Sequence, residues 1–175
     1  MSAMANTRTA RSFPLAAWLF VLGGVLLLLE QLLARVAPSA LDLWLEFFAY
    51  LALTVAFVVL FLWRSIDLLL RIAFIVAAVG FALLALADVA TLGSTLLKIA
   101  DVLIIVGVLV AGILVFARHI FTRAAGLSFL VLGIVVALLF LSALFVFITG
   151  TLLTILAILF GVLLIITGVL IARRR

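Results

Sequence analysis

Six runs of about 20 apolar residues follow one another with little between them, and each is the length an α-helix needs to cross about 30 Å of hydrocarbon. They extend from Pro14 to Leu33, Leu43 to Trp63, Leu68 to Ala87, Leu97 to Phe116, Ala124 to Phe147 and Leu152 to Ala172. Hydrophobic residues make up 71% of the 175 and charged ones 10%, against about 45–50% and about 25% in a soluble domain. A soluble interior of this size cannot hide the excess, so lipid is the expected solvent. The runs are continuous where barrel strands would alternate, which favours helices. The expected fold class is therefore all-α, a polytopic membrane helical bundle of about six transmembrane helices. Residues 1–13 form a polar tail, 14–172 the transmembrane domain and 173–175 a basic terminus. Arg8 and Arg11 ahead of the first run resemble a signal peptide, but signal cores are about 7–15 residues, so a retained helix is expected.

Charge then orients the bundle. Lys and Arg accumulate on the cytoplasmic side of membrane proteins. With six spans, Arg8, Arg11, Arg64, Arg71, Arg118, Arg123, Arg173, Arg174 and Arg175 fall on one side, and Arg35 and Lys98 on the other. The acidic residues sort oppositely, with Asp67 alone on the arginine side and Glu30, Asp42, Glu46, Asp88 and Asp101 across from it. Five or seven spans would scramble this partition. The expectation is a multi-pass membrane protein with both termini in the cytoplasm. The high pI accordingly concerns membrane orientation and not nucleic acid, because no polar domain carries a basic face.

The joints are short and themselves repeat. Pro38 with Ser39, Gly93 with Ser94, and Gly150 mark turns on one side, and Arg64, Arg118 and Arg173 close hairpins on the other, 54 and 55 residues apart. Three hairpins follow, 14–63, 68–116 and 124–172, with Gly24, Gly80 and Gly133 at related places in their first helices and Gly107 and Gly161 in the second helices of the last two. A helical pair cannot bury a shared face alone, which is a physical reason for the period. The three hairpins, with stretches such as RAAGLSFLVLGIVVALLF and TLLTILAILFGVLLIITGVLIARRR, resemble the HdeD-like family of small bacterial membrane proteins. The resemblance implies six helices and an association with acid resistance, and it brings no catalytic residues. Only the first hairpin keeps the family's outer-turn proline, at Pro38.

Small residues four apart, such as Ala73/Ala77, Gly107/Ala111, Gly133/Ala137 and Ala157/Gly161, let backbones approach where lipid supplies no hydrophobic drive. Gly107, Gly133 and Gly161 are thus expected at helix contacts within the monomer, an oligomer face being the lesser reading. Counted at about 1.5 Å per residue, Glu30, Glu46 and Asp101 each lie roughly 5 Å inside the boundary opposite the arginines. Glu30 and Glu46 sit on antiparallel neighbours at matching depth, where two carboxylates cannot both stay ionised cheaply. They are the candidates for binding or responding to protons or cations, set against interfacial carboxylates that merely reach water. Lys98 is spaced to pair with Asp101, and Asp67 with Arg64 and Arg71. Arg173, Arg174 and Arg175 can attract anionic lipid at about 1 kcal/mol each, and Trp18, Trp44 and Trp63 lie near span ends.

Nothing points to catalysis. Cysteine is absent, so thiol nucleophiles and Cys-ligated metals are excluded. A single histidine, His119, cannot build a His-rich metal site. Ser128 lacks the second glycine of a nucleophile elbow, and no P-loop or GxGxxG occurs. The expected function is a non-enzymatic membrane protein without cofactor, tied by its resemblance to acid or stress resistance. A small transporter or channel is the rival, and a scaffold, homo-oligomer or subunit of a larger membrane complex a third reading.

Overall fold

The structure, a computed structural model, describes residues 3–36, 40–63, 66–90, 94–145 and 150–173. Pro38, Ser39, Arg64, Gly93, Arg174 and Arg175 lie outside the described residues. The chain is all-helical: α1 (Ala3–Val36), α2 (Ala40–Phe61), α3 (Leu68–Ala90), α4 (Ser94–Ala117), α5 (Arg123–Phe145) and α6 (Gly150–Ala172). All six are long and apolar enough to cross a membrane, as the apolar runs predict. Several helices outrun their apolar cores. α1 starts at Ala3, because alanines and arginines are good helix formers and Pro14 removes a single backbone donor without ending the helix. Gly150, expected within a tight turn, is instead the first residue of α6.

Each helix packs on the next in sequence, and α1 packs on α6, so the six close into a ring. Among the described residues α4 packs only on α3 and α5, which puts it across the ring from α1. Among the described residues the α5–α6 contact is the slightest of the six.

The ring is filled. Phe20 of α1, Phe57 of α2, Phe74 and Phe81 of α3 and Phe129 of α5 are all fully buried. Phe57 meets Phe20, Phe81, Phe74 and Phe129 at centroid distances of 5.3, 5.7, 6.0 and 6.4 Å. Since α2 and α5 are not ring neighbours, the contact of Phe57 with Phe129 spans the middle. Edge-to-face and offset geometries at such distances add to the packing of the rings. Leucines, isoleucines and valines cover the outside, Leu22, Leu69 and Ile134 among them, and fit contact with lipid.

The hairpin repeat is visible in what each helix buries. Ala16, Phe20, Gly24 and Leu27 of α1 recur as Leu70, Phe74, Ala78 and Phe81 of α3 and as Ala125, Phe129, Gly133 and Val136 of α5, all buried. Ala49, Leu53, Ala56 and Leu60 of α2 recur as Ile104, Val108, Ala111 and Val115 of α4 and as Phe160, Leu164, Thr167 and Ile171 of α6. This register corrects the glycine matches read from spacing. Gly24 answers to Ala78 and not to Gly80, and Gly112 answers to Gly168, while Gly107 and Gly161 are not equivalent.

Phe57 stands where the other two hairpins carry Gly112 and Gly168. A Cβ at Gly112 would lie 2.7 Å from the Phe129 carbonyl oxygen, and one at Gly168 would lie 2.5 Å from that of Ala17. One hairpin therefore supplies the central ring, and the other two use the position to bring backbones together.

Candidate functional site: the carboxylate end

At the end opposite the arginines, α1 and α2 pack side by side and carry a polar cluster. The Glu30 carboxylate of α1 lies within electrostatic reach of Glu46 and Asp42, both on α2. Gln31 donates to Glu30 Oε2 at 2.8 Å, and the Tyr50 hydroxyl donates to Glu46 Oε1 at 2.8 Å from one turn further along α2. Both glutamates are half-buried. Tyr50 is itself buried and stacks on Phe81 at 6.1 Å, so a hydrogen bond and one ring contact link Glu46 to the central aromatic cluster. Trp44, Phe47 and Phe48 form an aromatic patch around the entry of α2.

Of the three carboxylates singled out by depth, Glu30 and Glu46 lie on packed neighbours within electrostatic reach of each other, and Asp101 does not join them. Asp101 is half-buried on α4, which packs on neither α1 nor α2. Lys98, exposed one turn earlier, makes no ion pair with it among the described residues. Gln31, Asp42 and Tyr50 are members that sequence reasoning passed over. The four-residue spacing from Glu46 to Tyr50 on one helix was the available signal.

The packing glycines fall at helix contacts. A Cβ on Gly107 would run into the backbone of Ala77 on α3. One on Gly133 would stand 3.0 Å from the Leu109 Cα and 3.1 Å from the Val108 carbonyl on α4. One on Gly161 would stand 2.9 Å from Leu28 of α1 and 3.2 Å from the Gly24 carbonyl. All three positions serve contacts within the monomer. Between α5 and α6, Ser128 Oγ and Thr167 Oγ1 share a buried hydrogen bond of 2.6 Å.

The arginine end is laced differently. Asp67 precedes α3 and accepts from the Leu70 amide at 3.3 Å, an N-cap. It also pairs with Arg118 from the joint after α4, rather than with Arg71, whose guanidinium donates to the Trp63 carbonyl at 3.3 Å. Thr122 caps α5 the same way, accepting from the Ala125 amide at 3.3 Å. His119 takes a left-handed φ of 50°, with its own amide bonded to the Phe116 carbonyl and that of Ile120 to the Val115 carbonyl. That is the glycine-favouring helix stop, so the single histidine serves here as a helix terminator. Among the described residues no group of three or more His, Cys, Asp or Glu is placed to hold a metal ion. Compared with known proteins, the chain matches no protein-family model, no curated protein and no solved structure.

Proposed function

We propose that the protein is a non-enzymatic integral membrane protein of the HdeD-like type that helps a bacterial cell withstand acid, through carboxylates on the outer side of its inner membrane. The arginine-rich end faces the cytoplasm in this reading, because basic residues are retained on that side during insertion. The observation that carries it is that α1 and α2 pack together with Glu30 on one and Glu46 and Asp42 on the other, within electrostatic reach. Like charges gathered at a helix contact oppose its closure, and a partly dry setting strengthens the repulsion. Taking up a proton there relieves it, so external acid draws α1 and α2 together. Tyr50 then passes the change to Phe81 and the aromatic centre. Asp101 stands apart from this pair, on α4.

A channel or transporter is less well supported. Five phenylalanines occupy the middle of the ring, where a conducting path would run, and transporter sites sit near the midplane at broken helices. The test is acid survival of a strain that depends on the protein. Glu30→Lys with Glu46→Lys keeps two like charges that acid cannot neutralise, and is expected to lower survival about ten-fold or more, as the loss of a coupling of about 1–3 kcal/mol would, with Asp101→Asn close to wild type. Unchanged survival in the double variant, with normal membrane levels of the protein, removes the acid-response reading.

A further inference from the structure

Between α1 and α6, at the arginine end, a groove of about 560 Å³ is lined by Ala17, Trp18, Val21, Val169, Ala172 and Arg173. It exists because of how the ring closes. Gly168 brings α6 against the backbone of Ala17, and the small side chains of Ala17 and Ala172 leave a trough above that contact. Among the described residues that line it none is acidic. Arg173 stands at one end, exposed, and opens a run of three arginines in the sequence. Trp18 forms a wall and is 64% exposed, with its indole at the depth where Trp anchors to headgroups.

We infer that this groove is a binding site for one anionic glycerophospholipid of the arginine-side leaflet. The inference rests on the membrane-spanning reading and is independent of the acid-response proposal. The Arg173 guanidinium takes the phosphate, for which its planar donor fork is suited. The Trp18 indole borders the glycerol region, and Val21, Val169 and Ala172 take the upper part of an acyl chain. Charge complementarity selects the occupant: the rim is cationic, the trough is apolar, and both open on the face that fits lipid.

The whole protein in detergent, titrated with phosphatidylglycerol or phosphatidylcholine and read by native mass spectrometry, tests this. Wild type is expected to retain phosphatidylglycerol about five-fold better, the preference that about 1 kcal/mol from one basic residue gives. Arg173→Gln removes the preference. Ala172→Trp, at an exposed position, fills the trough and lowers retention of both lipids without disturbing a buried contact. The double variant Arg174→Gln with Arg175→Gln keeps the preference. Equal retention of the two lipids by wild type, or a preference that follows Arg174 and Arg175 instead of Arg173, overturns the proposal. Unchanged retention in Ala172→Trp does so too. Failure of the membrane reading is distinguishable, since the protein would then stay soluble before any detergent or lipid is added.

Discussion

Phe57 is the one central ring that a second helix supplies, and it meets four rings from the first helices, Phe20, Phe74, Phe81 and Phe129. Phe20, Phe74 and Phe129 are repeat equivalents, and Phe57 touches all three. Phe→Ala in a soluble core costs about 3–5 kcal/mol. In a bilayer the separated helices remain in hydrocarbon, so the transfer part falls away and the void remains. Phe57→Ala is therefore expected to destabilise the bundle by about 2 kcal/mol, and Phe57→Leu by about half that, measured by reversible unfolding in mixed micelles. No loss for Phe57→Ala would mean that the centre is not packed in the protein as it exists. At this scale the sequence is readable in depth and unreadable in azimuth. Counting residues from span ends placed Glu30, Glu46 and Asp101 at one level. Which of them meet depends on the order of helices around the ring, and only Glu30 and Glu46 had adjacency in sequence to suggest it. Asp42 and Gln31 escaped notice because polar residues at a span end ordinarily need no partner.

Helix ends show how the elements are set against one another. Asp67 and Thr122 open α3 and α5 with the same side-chain cap, at repeat-equivalent places, and Ile66 and Phe121 just before them are both buried. Phe121 stacks on Trp63 at 6.2 Å, which joins the end of α2 to the start of α5. The spacing of Asp67 from Arg71 suggested a pair within one joint, as did that from Arg64, which lies outside the described residues; the pairing with Arg118 reaches a different joint, because α3 and α4 are antiparallel and their ends at this side coincide. Both partners are substantially exposed, at 39% and 46%, so the ion pair itself contributes little, about 0–1 kcal/mol. The cap is the larger effect. Asp67→Ala is expected to cost about 1–2 kcal/mol, while Asp67→Ser, which keeps a capping oxygen without the charge, costs under about 1 kcal/mol. Equal losses for the two would assign the role to the ion pair. The helices themselves were legible, since runs of about 20 apolar residues admit no other element in lipid. Their ends were not, because Ala and Arg continue a helix past the hydrocarbon and hydropathy does not register it.

Closure is the property of the whole molecule that no local pattern announces. Hairpin pairing follows from short joints, but the meeting of α1 with α6 joins the two helices furthest apart in the chain. It is made by three glycines. Gly24 and Gly161 face each other, with a Cβ on Gly24 falling 2.5 Å from the Gly161 carbonyl, and Gly168 lies against Ala17. In sequence these are three glycines among 11, with nothing to say which helix each one meets. Because the ring closes, the first hairpin is held at two seams, α1–α6 and α2–α3, and its covalent joint to α3 is dispensable. Residues 1–63 and 66–175, expressed together as separate chains, are then expected to copurify in mild detergent as one complex. Gly168→Leu in the larger fragment drives a side chain into the backbone of α1, an overpacking of about 1–3 kcal/mol, and should reduce recovery of the smaller fragment about ten-fold. Gly150→Leu in the same fragment, at a position with open space around it, should leave recovery as it was. Copurification that ignores Gly168→Leu would mean that α2–α3 alone holds the hairpin and that the ring is open where α1 meets α6. The groove beside Arg173 depends on that same seam, so the loss of one would remove the other.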